Sequence, residues 1–463
     1  MESLSPPPAS KTIAIVGGGF SGALVAVHLA RMTGSQALRI VLFEKRERFA
    51  RGLAYGTRCD LHLLNVPAGL MSALPDEPSH FLDWLRARDP SAQPGTFAPR
   101  RLYGDYLEEL LASSARASTA QIDLVRDEVI DLEVGEGSPV MRLTTRAGTQ
   151  LLADRVVLAT GHQPPLDPPG CDLSARGPGY VADPWNPRAL EGLQAEDSIA
   201  LIGTGLTAVD VVLEARSRGH VGKIYAISRH GLLPRQHPAS SVPPRPHFAI
   251  PGPGPAPTAR TLLRRVRSEV VDCEREGGDW RSVIDSVRPV AQALWRSLGA
   301  GERRRFVRHV APRWEVHRHR VAPEVDAVLQ DARSSGQLNV IAGRIHSFAE
   351  RDGHPELTIE RRGTACVETL AVRRVINCTG PARDVRAGSP ELLRSALDRG
   401  IVRTGPLAMG LDVADSGALI RADGREQTQI FAIGPLLKEQ LWETTAVREL
   451  RCQAVEIARK VLE

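Results

Sequence analysis

The sequence predicts an α/β protein with two Rossmann-like dinucleotide-binding domains and a helical insertion, and three observations predict it. An apolar strand runs into a glycine turn at residues 13–23, IAIVGGGFSGA. The same plan recurs at residues 198–210, SIALIGTGLTAVD, and each copy is followed by a strand ending in threonine and glycine, RVVLATG at 155–161 and VINCTG at 375–380. The repetition tells more than either copy, because glycines after a strand also make ordinary turns.

In the first copy Gly17, Gly19 and Gly22 stand in the spacing GxGxxG, with Phe20 and Ser21 opening the helix. Gly17 permits the tight turn, Gly19 lets backbone N–H groups approach a pyrophosphate, and Gly22 allows close packing of helix on strand. The next apolar strand, RIVLF at 39–43, ends in Glu44, followed by Lys45, where an acidic side chain binds ribose hydroxyls.

The second copy carries Gly203, Gly205 and Ala208 in the three small-residue positions, with Leu206 and Thr207 at the helix start. Its following strand, KIYAIS, ends in Ser228 and leads to Arg229 and His230 instead of an acid. An arginine there accommodates a 2′-phosphate. Glu44 therefore assigns FAD to the first site, and Arg229 assigns NADPH to the second. Gly161 and Gly380 end the paired TG strands, where backbone passes a cofactor closely.

Between these landmarks, residues 51–73 lack an amphipathic period and read as loop or short helix covering the cofactor, with Tyr55 and Asn65 in it. Helices are expected at 79–86 and 103–112, and strands at 123–131 and 140–145. Residues 233–257 are rich in proline and read as an irregular connection, 258–335 as an inserted helical subdomain, and 338–343 and 357–360 as strands. The tail returns to the first nucleotide: QIFAIGP at 429–435 is a strand carrying Gly434. WETTAV at 442–447, with Thr444 and Thr445, opens a final helix through Val461 and brings backbone N–H groups to the flavin. The expected domains are 1–165 for FAD, 166–381 for NADPH with the insert 258–335, and 382–463 closing the FAD domain.

Composition narrows the function. The net charge of +5 is small for 463 residues, but residues 258–320 hold 15 arginines against eight acidic residues. A solvated helical face or an anion pocket explains that excess better than nucleic acid, since few aromatics interleave with the arginines. The six cysteines lie far apart, without metal-ligand or dithiol spacing, and read as reduced thiols. No metal site is expected. No apolar run is long enough for a membrane span, and the leader MESLSPPPAS lacks a signal-peptide core. A cytoplasmic protein with a short disordered leader is expected, its oligomeric state, homo-oligomer included, left open.

Electrons passed from NADPH to FAD have three exits. A disulfide route is disfavoured, because only Cys59 lies in the comparable region. An electron-transfer acceptor would need no special cysteine. Dioxygen would give a flavin C4a-hydroperoxide that hydroxylates a small-molecule substrate, the cofactor supplying the chemistry and the protein orienting it.

Several further motifs carry a resemblance: GLAYGT at 52–57, HLLNVPAGLMSA at 62–73, PRRLYGDYL at 99–107, ATGH at 159–162 and RHR at 318–320. With VGGGFSG at 16–22 and IGTGLTAVD at 202–210, the chain resembles the bacterial FAD/NAD(P)-binding family related to class B flavoprotein monooxygenases. Its members include aspartate N-hydroxylases that form nitrosuccinate. The resemblance spans nearly the whole length and implies a two-dinucleotide-binding flavoprotein fold. It departs from the Baeyer–Villiger fingerprint FxGxxxHxxxW/P, where this chain has GYVADPWNP at 179–187, so heteroatom hydroxylation is favoured over insertion beside a ketone.

The expected activity is N-hydroxylation of a small amine, an acidic amino acid such as aspartate, by an FAD- and NADPH-dependent monooxygenase. The alternatives are an NADPH-dependent flavoprotein reductase and a non-catalytic nucleotide-binding scaffold or sensor. Carboxylate substrates call for guanidinium groups, offered by Arg100, Arg101, Arg318 and Arg320 with His319. Salt bridges between insert and core are their structural alternative. Asn65 is placed to contact flavin or nicotinamide amide, against a loop-capping role, and His162 reads as structural.

Overall fold

A computed structural model of the chain describes residues 3–4, 11–34, 37–135, 140–168, 177–238, 242–250, 252, 254, 256–351, 353–364, 366–414 and 417–463. Two compact units result. The first comprises Met1–Asp60, Val66–Gln163 and Arg383–Glu463, and the second Leu61–Asn65 and Pro164–Ala382.

The first unit is built on a five-stranded parallel sheet in the order Ile430–Ala432, Arg155–Leu158, Lys11–Val16, Leu38–Phe43, Gln121–Val125. Ile13, Ile15, Ile40 and Leu42 are fully buried, as are their neighbours Ala14 and Val41 on the opposite face. Strands covered on both faces need no polar alternation, which is why they read as continuous apolar runs. Helix Phe20–Met32 packs against helices Arg100–Ala117 and Val447–Leu462.

A second sheet in this unit pairs Val129–Val134, Met141–Thr145 and Gln150–Ala153 antiparallel. Ser3–Leu4 adds to it as a parallel strand, so part of the leader expected to be disordered is a strand; residues 1–2 and 5–10 lie outside the described residues. Residues 123–131 are not one strand but parts of two, in different sheets. Arg126, Asp127 and Glu128, three consecutive charged residues, interrupt any alternation and mark where the chain leaves one sheet for the other. Helix Arg100–Ala117 starts behind Pro99 and places Arg100 and Arg101 on its first turn. The final helix starts at Val447, later than expected, because Glu443 adopts φ 69°, a left-handed conformation that a helix cannot contain.

The second unit holds a seven-stranded sheet in the order Val367–Ala371, His354–Arg361, Leu338–Arg351, Ile224–Ser228, Ile199–Ile202, Arg374–Asn377, Tyr180–Val181. Leu338–Arg351 is longer than the expected 338–343. Its first residues pair parallel with Ile224–Ser228, and from Gly343 onward it pairs antiparallel with His354–Arg361. Gly343 looks like a strand end but serves close approach: a Cβ there would lie 2.7 Å from the Glu360 carbonyl oxygen.

The insert forms helices Ala259–Arg275, Trp280–Val287, Ala291–Ser297, Ala300–Arg305 and Ala311–Arg318, and Pro323–Ser334 follows. Thr258 caps the first, its hydroxyl accepting from Thr261 N–H at 3.1 Å. Phe248, from the proline-rich connection, is buried with Val287 and Leu294, which fastens that irregular stretch to the insert. Residues 239–241, 251, 253 and 255 of the connection, and Cys171, lie outside the described residues. Cys59, Cys273, Cys366, Cys378 and Cys452 are free thiols. Among the described residues no helix is long and apolar enough to cross a membrane, and no group of three His, Cys, Asp or Glu could hold a metal.

Candidate nucleotide sites and substrate corner

The first glycine turn is determined by close backbone contacts. Gly17 has φ 104°, and a Cβ on it would lie 2.3 Å from the Ala159 carbonyl oxygen; one on Gly22 would lie 1.9 Å from the Gly17 oxygen. Gly19 is the N-cap of helix Phe20–Met32, which has no side-chain cap and no acidic side chain in its first turn, so the helix start suits an anion. Glu44 is buried at the end of Leu38–Phe43, one carboxylate oxygen accepting from Arg46 N–H at 2.9 Å. Gly18, which sequence reasoning passed over, lets that acid come close: its Cβ would lie 2.8 Å from the Glu44 Cβ. Lys45 pairs with Glu128 at 3.0 Å beside an open cleft also lined by Arg126 and Arg146.

The loop beyond Glu44 is held over this turn by Arg51, another residue sequence reasoning missed. Its buried guanidinium donates to Glu108 at 2.7 Å, to Asp105, and to the Arg101 carbonyl at 3.2 Å. Gly104 leaves room for it, since a Cβ there would lie 2.7 Å from Arg51 Nη1. The neighbouring Gly52 approaches Gly19, and the Tyr55 ring meets Phe20 and Tyr103, with centroids 5.8 and 4.7 Å apart. Burial raises the Tyr55 phenol above its ordinary range, and Arg100 opposes that rise. Arg101 is ion-paired with Asp60.

Two further segments complete this unit's site. Gly161 has φ 71° with nothing within 4 Å of a would-be Cβ. Beside it, Thr160 Oγ1 and both polar atoms of the Gln163 amide are buried without a hydrogen-bond partner, a desolvation that a bound group would offset. Gly434, φ 78°, lies against Ser21, so the tail does return to the first turn. Thr444 is fully buried, its hydroxyl accepting from Gln453 at 2.7 Å; Thr445 is half-buried in the turn before the helix. The open glycine, the uncapped helix start, the buried Glu44 and the orphaned amide fit a flavin dinucleotide.

The second turn reproduces the first. Gly203 has φ 124°, and a Cβ would lie 2.2 Å from the Cys378 carbonyl oxygen, the counterpart of the Gly17–Ala159 contact. Gly205 caps helix Leu206–Ser217 and, like Gly380 with φ 81°, has nothing within 4 Å of a would-be Cβ. Ala208 is buried against the strand, and Thr207 is half-buried at the helix start. Ser228 organises the turn that follows: its hydroxyl accepts from Thr204 at 2.9 Å and from Gly231 N–H at 3.0 Å. Arg229 is exposed at that turn, and His230 is half-buried beside it. Burial raises the Cys378 thiol well above its ordinary range, so it carries no thiolate chemistry.

Within the second unit, Asn65 and the RHR turn come together through a residue the sequence did not single out, His237. The His237 ring bonds the Asn65 carbonyl at 2.9 Å through Nε2, while His237 N–H donates to the Val321 carbonyl at 2.9 Å. Arg235 bonds Val316 and Val321 on the same ladder. His62 fixes the other end of the Leu61–Asn65 segment, its Nε2 2.9 Å from the Asp210 carbonyl. Arg320 is 3 % exposed and grips Asp285 with both terminal nitrogens, at 2.9 and 3.1 Å. Like Arg101, it is engaged by a carboxylate of its own unit, and neither pair bridges insert and core: Asp285 lies in the insert with Arg320, and Asp60 lies outside it with Arg101. Arg318 ends its helix buried, and His319 N–H donates to Glu315 at 2.8 Å.

Comparison with known proteins agrees with this geometry. The model of a FAD-NAD(P)-binding family matches residues 14–163. An uncharacterised protein of Mycobacterium tuberculosis is 22% identical over 539 aligned residues, covering 100% of this chain and 97% of that protein. L-Lysine 6-monooxygenase of Pseudomonas syringae superposes with a TM-score of 0.65 at 16% identity, over 98% of this chain and 100% of that one. The ornithine N-hydroxylase of Kutzneria sp. 744, solved with reduced FAD, NADP⁺ and L-ornithine, gives 0.62 at 15% identity, over 98% and 99%. At such identities the likeness establishes the fold, the two-dinucleotide-binding flavoprotein fold.

Proposed function

We propose that the chain is an FAD-dependent, NADPH-consuming monooxygenase that N-hydroxylates a small amine, an acidic amino acid such as aspartate. One observation carries the reading: the two glycine turns share one backbone solution, yet one is followed by the buried Glu44 and the other by the exposed Arg229. Equal turns with opposite charges ask for two different nucleotides. The fold, shared along nearly the full length with an ornithine N-hydroxylase and an L-lysine 6-monooxygenase, supports the choice of reaction.

Gly17, Gly19, Gly22 and Glu44 would hold FAD, with Phe20, Ser21 and Gly161 contributing backbone. Gly203, Gly205, Arg229 and the N–H groups of Leu206 and Thr207 would hold NADPH. When bound, FAD reduced by NADPH supplies the oxygen-activating chemistry. The protein's part is to bind, orient and exclude water. Asn65, whose backbone carbonyl is held by His237, would offer its amide to flavin or nicotinamide, and Arg318 would take a substrate carboxylate.

Stopped-flow reduction and a substrate panel test the proposal. The purified protein is expected to be yellow, to be bleached by NADPH far faster than by NADH, and to consume NADPH faster when aspartate is added, with hydroxylated product detected by mass. A flavin that NADPH does not bleach would overturn the enzyme reading. Absence of any effect of aspartate, with stimulation by another amine, would overturn the substrate alone.

A further inference from the structure

The turn after Ile224–Ser228 is backed by a cation on a distant hairpin. Arg362, 132 residues beyond His230 in the chain, donates from Nη1 to His230 Nδ1 at 2.7 Å. A guanidinium has no acceptor, so Nδ1 must carry the lone pair, and His230 is the neutral tautomer with its proton on Nε2. Arg362 is fixed under the same turn by its backbone: its N–H donates to the Ala342 carbonyl at 2.9 Å. The Gly231 backbone sits on Ala342, a Cβ on that glycine lying 3.0 Å from the Ala342 Cβ. Arg362 makes no ion pair among the described residues, although the adjacent Arg361 pairs with Glu368 at 3.0 Å. Burial, and after it the cationic charges of Arg362, Arg229 and Arg313, hold the His230 pKa below its ordinary value. Like charges that act on one ring disfavour one another, a cost that a dianion bound there would offset.

We propose that Arg362, delivered by the hairpin of His354–Arg361 and Val367–Ala371, is a specificity-determining residue that joins Arg229 in binding the 2′-phosphate of the dinucleotide. It also locks His230 as a neutral Nε2–H donor at that phosphate. The inference rests on the NADPH reading of this site and names a contact that the strand-end motif does not contain. A phosphate monoester takes hydrogen bonds from two guanidinium groups, whereas the 2′-hydroxyl of NADH offers them no charge.

Calorimetric titration with adenosine 2′,5′-bisphosphate and with AMP tests this without turnover. Wild-type protein is expected to prefer the bisphosphate. Arg362→Ala is expected to weaken the bisphosphate roughly tenfold or more, the scale of one charge-assisted hydrogen bond, and to leave AMP unchanged. Arg362→Lys should recover part of the loss and Arg362→Glu should deepen it. Arg362 is exposed in the turn after strand His354–Arg361, so these variants fold. If the wild type discriminates and Arg362→Ala discriminates equally well, the role of Arg362 is overturned and that of Arg229 stands. A wild type that binds both ligands alike would overturn the NADPH reading together with the inference.

Discussion

The imidazole of His237 holds the backbone carbonyl of Asn65 across 2.9 Å, joining two residues 172 positions apart. Burial is the main reason that its pKa falls from 6.5 to about 4, with Arg320 and Arg281 adding to the fall, while the Asn65 bond and Asp285 oppose it. His237 is therefore neutral and a donor throughout the neutral range.

A pH dependence of stability follows. Unfolded, the ring takes up a proton near pH 6.5; folded, it resists down to about pH 4. The unfolded state thus binds more protons between those values, and stability falls as pH falls through that window. Allowing for water at a half-buried ring, the loss is on the order of 2 kcal/mol. His237→Gln, which cannot titrate, should flatten the curve of denaturation midpoint against pH in that window. An unchanged slope would contradict the assignment.

Arg51 closes the loop over the first glycine turn. Arg51→Met removes the buried guanidinium from two carboxylates that stay partly solvated and should cost about 1.5–3 kcal/mol in chemical denaturation, the scale of a hydrogen bond to a charged group. Because Gly52 rests on Gly19, flavin affinity should fall as well. Retained affinity in the folded variant would show that the loop does not shape the flavin site.

Glu44→Ala should yield folded protein with little flavin, read from the absorbance of the purified sample. Gly18→Ala should act on the same step, since its Cβ must displace Glu44. If both variants retain stoichiometric FAD, Glu44 does not bind the ribose.

What the sequence made legible was local. The clashes that demand Gly22 and the helix start at Phe20 arise within a few residues of one another, so their pattern is written in the chain. The partners of Gly17 and Gly203 are remote, but they recur at the same place in each TG strand, and the repeat exposed them. Arg51, His237 and Arg362 had no such signal. Each works through a residue between 50 and 172 positions away, and a lone charged side chain in a loop looks the same whether it is solvated or clasped. The arginines of the 99–107 and 318–320 motifs illustrate the point: by sequence Arg101 and Arg320 suit carboxylate substrates, and the fold gives each an aspartate, Asp60 and Asp285. Element ends were blurred where a local feature imitated a boundary, as at Gly343, whereas the break between Val125 and Val129 is written in three consecutive charged residues that a single-strand reading overruns.

The most direct test of the central claim is the fate of dioxygen. Protein loaded with FAD is turned over with NADPH and aspartate under heavy-isotope dioxygen, and the product is analysed by mass. The account predicts one labelled oxygen on the amine nitrogen for each NADPH consumed in the first hydroxylation. Label recovered only as hydrogen peroxide, with aspartate and every other amine returned unchanged, would contradict it.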